Sequence, residues 1–303
     1  MRIITNQQIA DLGISPRECV EWVHESFCMK YEAQLPTKIS LHPQGSDFIN
    51  TMPCLLPEQY GRFGVKVVSR VAGQKPSLHS DLLLYDSKTG ESLSLMDADW
   101  ITQMRTGAVA ALTIQTLQKV NAKVFSFIGL GSTAKATMMC LQTILPKEKQ
   151  IMVKLLRYKD QAECFAAQFA HPQMQFEIVD THEELLRECD VLVSAVTEMP
   201  ELFCADDALF PKGILLVPIH TRGFQNCDLF FDHVFADDRG HVEGFKYFHQ
   251  FRAFNEMSEV LLGKADGRQS DDERILAYNI GIGLHDVFFA SLIYERLNSP
   301  HIG

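Results

Sequence analysis

Residues 124–145 read VFSFIGLGSTAKATMMCLQTIL, and few architectures accept such a stretch. A short apolar run, Val124 to Ile128, stops at Gly129-Leu130-Gly131. From Ala134 onward, small and apolar residues recur at helical spacing: Ala134, Met138, Leu141 and Leu145. The pattern predicts strand, tight glycine turn and helix, with G-x-G-x-x-A across the turn. A dinucleotide-binding βαβ unit has that order, because the turn delivers a pyrophosphate to a helix N-terminus. Gly129 permits the turn, Gly131 permits close approach of backbone to phosphate, and Ala134 takes the third small position. An ordinary strand-turn-helix without a ligand is the alternative, and the long apolar helix that follows counts against it.

Downstream, strands and helices alternate. Strands are expected over 151–156, 175–179, 190–195, 214–218 and 230–236. Helices are expected over 160–170 and 181–189, the latter capped by Thr181 with Glu184 three residues on. Such alternation predicts a doubly wound parallel sheet. Residues 239–270 read as loop and helix, and 271–297 as helix interrupted at Gly281 and Gly283. Upstream, 14–34 reads as an amphipathic helix with Ser15, Pro16 and Glu18 in capping-box positions. Extended segments follow over 38–41, 48–55, 63–69, 80–85 and 92–96, so closely spaced that an antiparallel or mixed sheet is expected. Asp97 and Thr102 are both good N-caps, which predicts two consecutive helices, the second running to Leu117.

The chain has 303 residues, 46% of them hydrophobic, with net charge −10. That length accommodates two domains, and the acidic balance argues against a nucleic-acid partner. No apolar run approaches the ~18 residues of a membrane helix, and no membrane partner is expected. The eight cysteines are scattered without a C-x-x-C pair. They read as free thiols of a reducing compartment, hence the cytoplasm.

Several side chains are candidates for chemistry. Arg105 would lie in the first turn of the second of those helices. Together with free backbone N–H groups it would make a site for a substrate carboxylate or a cofactor phosphate. Lys66 sits in the alternating run FGVKVVS and shares a face with Gly64 and Val68. It is either a solvent-side lysine or a second cation facing substrate, and Lys38 is a weaker third. An NAD-binding unit usually ends its second strand in an acidic residue. Here Arg157 and Lys159 follow instead, which suits a 2′-phosphate and favours NADP(H) over NAD(H). His220 and Thr197 fall at C-terminal strand ends, where ligands bind in such sheets. His220 could exchange a proton near neutral pH, and Thr197 could line a nicotinamide site. His233, Asp237, Asp238, His241 and Glu243 cluster in sequence but lack a metal-ligand spacing, so no metal is expected.

Taken together, MPCLLPEQYGRFGVKVVS, LLLYDSKTGESLSLMDADWITQMRTGAVAALT, FSFIGLGSTA and NIGIGLHDVFFA resemble the ornithine cyclodeaminase/mu-crystallin family over nearly the whole chain. The resemblance implies an α/β protein. A Rossmann doubly wound parallel-sheet domain (118–277) would accompany a split α+β substrate-binding and dimerisation domain (1–117 with 278–303), usually as a homodimer. It also implies that Lys66 is the active-site lysine, Arg105 the carboxylate-binding arginine, and Lys38 the replacement for a further substrate arginine. Gly129, Gly131, Ser132, Thr133 and Ala134 would form the pyrophosphate loop, and Asn279 would stand near the nicotinamide. His220 occupies the place of the cyclodeaminases' catalytic aspartate. The expected activity is NAD(P)H-dependent hydride transfer to or from the α-carbon of a small amino acid or its imine, with an amino acid, imine or keto acid as the small-molecule partner. The alternatives are an ammonia-releasing ornithine or lysine cyclodeaminase with bound NAD, and a non-catalytic NADPH-linked binder like mu-crystallin.

Overall fold

The computed structural model describes residues 1–76, 78–196, 199, 201–204, 206–219, 224 and 229–299. Its elements divide into two compact units, Met1–Arg105 with Ile282–Gly303 and Thr106–Gly281.

The first unit holds β1 (Arg2–Ile4), α1 (Asn6–Ala10), α2 (Pro16–Cys28), β2 (Ile39–Leu41), β3 (Phe48–Leu55), β4 (Arg62–Arg70), β5 (Leu78–Asp86) and β6 (Ser92–Asp97). Helix α3 (Asp99–Leu117) begins in it. The strands form one sheet in the order β1-β6-β5-β4-β3-β2, antiparallel except for β1 against β6. At the start of α2, Ser15 and Glu18 make the reciprocal capping box that their spacing predicts. The C-terminal helix returns to this unit and packs on β3, β4 and β5, with α2 against it. Side chains alternate across the pleat. Met52, Lys66, Leu82 and Met96 therefore lie side by side in register on the covered face, all buried.

One helix replaces the two that were expected around Thr102. No glycine or proline interrupts Asp99–Met104, so the Thr102 amide bonds the Ala98 carbonyl at 2.8 Å and the turn continues. The Thr102 hydroxyl is spent on Ser80 Oγ at 2.9 Å. Arg105 consequently lies in the second turn of a continuous helix and has no free helical N–H groups beside it. The anion site at a helix start is thereby corrected to a side-chain site.

The second unit continues with β7 (Val124–Ile128), α4 (Ser132–Ile144), β8 (Ile151–Leu156), α5 (Gln161–Gln168), β9 (Met174–Val179), α6 (His182–Leu186), β10 (Val191–Ser194), β11 (Leu215–Pro218), β12 (His233–Ala236), β13 (Phe254–Glu256), α7 (Met257–Leu261) and β14 (Ile275–Tyr278). Helix α8 (Gly283–Asn298) is the one that returns to the first unit. All eight strands of the second sheet are parallel, in the order β13-β12-β14-β11-β10-β7-β8-β9. This is a doubly wound sheet whose order reverses between β7 and β10, the crevice where such sheets take ligands.

Two segments differ from the sequence expectation. Ile275–Tyr278 was expected to be helical and is instead β14, seated between β11 and β12. All four of its residues are buried, and a short apolar run covered on both faces carries no period to distinguish strand from helix. Strand β13 likewise lies within the region read as loop and helix. The division between the units falls after Arg105, within α3, and after Gly281. No helix among the described residues is long and apolar enough to cross a membrane.

Candidate active site

In the first unit, one carboxylate collects the cations. Strand β4 points Gly64, Lys66 and Val68 toward α8. Two glycines allow the helix to come down on the sheet. A Cβ on Gly64 would sit 2.9 Å from the Leu83 carbonyl oxygen and 3.1 Å from Val287. One on Gly283 would sit 2.9 Å from the Met52 carbonyl oxygen. With that approach, Asp286 in the first turn of α8 reaches Lys66. The Asp286 Oδ1 to Lys66 Nζ distance is 2.7 Å, an ion-pair contact whose angles are poor for a hydrogen bond, and both side chains are fully buried. Arg105 Nε donates to the same Oδ1 at 2.9 Å. Asp286 Oδ2 has no hydrogen-bond partner among the described residues, so Oδ1 carries both contacts. Behind this group, His285 Nδ1 lies 2.6 Å from Ser26 Oγ and its ring meets Phe27 edge-on, fixing α8 on α2.

Burial pushes the Lys66 ammonium down to about 7, and Arg105 pushes the same way. Asp286 opposes both, while half-buried Lys38 adds a smaller push downward. Burial alone would raise Asp286, but Arg105 and Lys66 outweigh it and hold the carboxyl below its ordinary range. The result is a dry cluster of two cations and one anion. The Nε–H of Arg105 is taken, which leaves the fork of terminal nitrogens for another carboxylate. On the same face, one register pair along, Asn50 keeps a buried Oδ1 without a partner among the described residues.

Asp286 and Asn50 were missed by sequence reasoning. An aspartate in the first helical turn reads as a helix-dipole partner, and only the α8–β4 packing shows it facing Lys66. An unbroken apolar helix with one charge, GLHDVFFA, was the available signal.

In the second unit, Gly129 follows β7 with φ +79°, and its Hα faces β10. A Cβ there would lie 2.7 Å from the backbone of Ala195 and Val196. Gly131 is the N-cap of α4 and has no side-chain cap. A Cβ on it would meet nothing within 4 Å. Ser132 and Thr133 open the helix and Ala134 is fully buried beneath it. An uncapped helix start above open space fits a pyrophosphate, since the opening amides of a helix point outward from its end and no side chain among the described residues caps these.

Asn279, just beyond β14, donates from Nδ2 to Thr113 Oγ1 at 3.2 Å. Its Oδ1 is buried with no partner among the described residues, an acceptor suited to a carboxamide N–H. Past β8, Arg157 and Lys159 are both exposed. Arg157 pairs with Asp180 at 2.7 Å and with Glu163, and these two carboxylates hold its proton more firmly. Lys159 adopts φ +53° and lies over the Tyr158 ring. Thr197 and His220 lie outside the described residues.

The polar cluster on and after β12 is taken up by neighbouring segments of the second unit. His233 contacts Asn255 at 3.0 Å, Asp237 accepts from the Gly281 amide, and Asp238 caps Gly240. Glu243 lies 3.7 Å from Arg239, and His241 3.8 Å from Asp237. No group of three or more His, Cys, Asp or Glu among the described residues could hold a metal ion.

Residues 3–301 match the sequence profile of the ornithine cyclodeaminase/mu-crystallin family. The nodulation efficiency protein NfeD of Rhizobium meliloti is 28% identical over 88% of this chain and 86% of its own. The alanine dehydrogenase of Archaeoglobus fulgidus is 26% identical over 99% of this chain and 96% of its own. The solved Δ1-pyrroline-2-carboxylate reductase of Thermococcus litoralis, in complex with NADH and L-proline, shares the fold. Its TM-score is 0.81 at 23% identity, covering 98% of this chain and 97% of that one.

Proposed function

Because the chain belongs to the ornithine cyclodeaminase/mu-crystallin family, we propose that it is an NAD(P)H-dependent oxidoreductase acting at the α-carbon of a small amino acid or its imine. The observation that carries this reading is the buried pair Lys66 and Arg105, joined through Asp286. Two cations held dry on rigid elements bind an α-carboxylate in one orientation, and orientation is what the protein contributes when a cofactor carries the chemistry. Lys38 stands at the edge of the same group as a further substrate contact.

Gly129, Gly131, Ser132, Thr133 and Ala134 hold the pyrophosphate, and Asn279 with Thr197 orients the nicotinamide. When bound, the dinucleotide supplies or accepts hydride. Two side chains of the sequence can exchange the accompanying proton, His220 after β11 and Lys66 on β4. Arg105 serves the substrate carboxylate; as a cofactor contact it would have to use its terminal nitrogens, since Nε is occupied.

A basic residue replaces the usual acidic one after β8, which supports NADP(H) as the preferred form. Arg157 is already shared with Asp180 and Glu163, so the preference is moderate. Arg157→Ala is expected to raise the KM for NADPH about tenfold, one charge-assisted contact's worth, and to leave that for NADH within twofold. Steady-state assays with both cofactors check it. The general test is oxidation of NADPH with five- and six-membered cyclic 2-imino acids, and with keto acids plus amines. Ammonia release from ornithine or lysine without net change in NADH would instead mark a cyclodeaminase. Absence of affinity for either dinucleotide by calorimetry would sink the proposal.

The protein is a homodimer on the same reading. Ile39 and Leu41 on β2 are 61% and 58% exposed, and Ile3 on β1 is 68% exposed. They lie at opposite edges of a sheet whose other face is covered by α8. A second copy would cover these residues. The double variant Ile39→Lys/Leu41→Lys is expected to halve the mass seen by sedimentation equilibrium, from twice 34.3 kDa to once.

A further inference from the structure

We propose that Asn50 sets the substrate preference of the site, selecting a small amino or imino acid whose side chain carries a neutral hydrogen-bond donor, a hydroxyl or a carboxamide. The inference rests on the oxidoreductase reading above and names the substrate class of that same site. Asn50 acts on which side chain is held, and leaves the chemistry at the α-carbon as it is.

The register of the first sheet places Asn50 beside the cations. Met52 on β3 pairs with Lys66 on β4. Two residues along and on the same face, Asn50 pairs with Val68, and Val68 with Ser80 on β5. The two rows lie about 7 Å apart along the strands. Helix α8 starts over the Lys66 row and leads away from Val68. A Cβ on its first residue, Gly283, would meet the Met52 and Pro53 carbonyl oxygens, and Val287, one turn on, lies against Gly64. Val68 and Ser80 are buried. The Ser80 hydroxyl accepts from Thr102, which stands on α3 one turn before Arg105. Of the polar groups in this row, the Asn50 amide is the one whose Oδ1 is buried with no hydrogen-bond partner among the described residues.

An acceptor buried without a partner is a standing cost to the protein. A site that contains one rewards a substrate that brings a donor and rejects the analogue that lacks it. With the α-carboxylate against Lys66 and Arg105, the substrate side chain has the next row within reach. A hydrogen bond takes about 3 Å of the separation, which leaves the length of a side chain whose donor is its γ or δ atom. Charge decides which donor. Lys66 and Arg105 are balanced by Asp286 and by the substrate's own carboxylate, and Asp286 Oδ1 already serves both cations. A side-chain ammonium would therefore enter beside two buried cations, with a neutral amide as its partner. A side-chain carboxylate would bring only acceptor oxygens to Oδ1. A hydroxyl or carboxamide brings an N–H or O–H without a charge.

The test compares L-homoserine, L-norvaline and L-2,4-diaminobutyrate, which have side chains of one length ending in a hydroxyl, a methyl and an ammonium, with L-aspartate as the anionic arm. Oxidation with NADP+ gives kcat/KM for each, and calorimetry on the NADP+-loaded protein gives the affinities. The wild type is expected to favour homoserine over norvaline by about 10- to 100-fold, with diaminobutyrate and aspartate also behind homoserine. Asn50→Leu keeps the bulk and removes the amide, so it should melt no lower than the wild type and bring homoserine and norvaline to near parity. Asn50→Asp should move the preference to diaminobutyrate. A homoserine-to-norvaline ratio that Asn50→Leu leaves unchanged overturns the proposal, and so does a wild type that favours norvaline, diaminobutyrate or aspartate. If Asn50→Leu does not fold, the response of Asn50→Asp to diaminobutyrate decides. If no amino acid is oxidised and NADPH is not consumed with the matching 2-keto acids and ammonia, the oxidoreductase reading fails. The calorimetric ratio then still tells whether Asn50 reads the side chain, and binding of none of the four overturns that too.

Discussion

Lys66→Met is expected to lower kcat/KM by about 10³–10⁶-fold while leaving the fold at least as stable at neutral pH. General-acid assistance accounts for about 10²–10⁴ of that loss, and the carboxylate contact for roughly 1.5–3 kcal/mol more. The stability side follows from linkage. Burial has brought Lys66 down from an ordinary 10.5 to about 7, so the unfolded chain binds the extra proton between those values. Below pH 7 both states are protonated and the full cost of the buried charge is present. As pH rises from 7 toward 10.5 the folded lysine is already neutral, and wild-type stability grows. At ~1.4 kcal/mol per pKa unit the change is on the order of a few kcal/mol. Asp286 contributes the opposite way at low pH. Its depressed carboxyl stabilises the fold above its ordinary range, and that part is lost as pH falls through the folded value. Methionine fills the space of lysine without a charge, and Arg105 still serves Asp286. Urea titrations at pH 7 and 9.5 should show wild-type stability rising relative to the variant, with the variant equal or ahead at pH 7. The buried thiols Cys19, Cys54 and Cys189, all pushed up to about 12, occur in both proteins and cancel. A variant that keeps activity within tenfold removes Lys66 from the site.

Lys66 also marks where the molecule is legible in its sequence and where it is not. Local signals came through where a few adjacent residues settle the outcome. Thr181 and Glu184 cap α6, and Ser15 and Glu18 cap α2, as their spacing requires. The alternation in FGVKVVS placed Lys66 on the face of Gly64 and Val68, and all three are buried. Legibility ended where the deciding partner is distant in the chain. Ile275–Tyr278 is a strand because β11 and β12 flank it, and nothing in ILAY states that. Asp286 is separated from Arg105 by 181 positions, so its role could not be read from its own helix. Arg157 reads as an unencumbered basic residue, yet Asp180 from the turn after β9 and Glu163 from α5 lie beside it. The family's pattern supplied the cations of the site, and packing supplied the anion that holds them.

Gly131→Val should abolish dinucleotide binding without weakening the fold, and Gly129→Ala should damage both. The two glycines stand two residues apart in one turn, and their surroundings differ. Gly129 has φ +79°, and its absent Cβ would fall 2.7 Å from backbone atoms of Ala195 and Val196. A left-handed conformation costs an L-residue roughly 1–2 kcal/mol. The clash with main chain adds about 1–3 kcal/mol, as overpacking does. The β7–β10 pair would have to separate at the crevice itself. Gly131 carries no such constraint. It has φ −76°, an ordinary value, and open space where a Cβ would project. A side chain there costs the protein little and takes the volume that the pyrophosphate needs. Losing two charge-assisted amide–phosphate bonds at roughly 1.5–3 kcal/mol each weakens binding by about 10²–10⁴-fold. Thermal melts should therefore separate the variants: Gly131→Val near the wild type but unshifted by NADPH, Gly129→Ala several degrees lower. Wild-type affinity retained in Gly131→Val would mean that the phosphates do not lie at the start of α4, and the cofactor site would have to be sought elsewhere in the second unit.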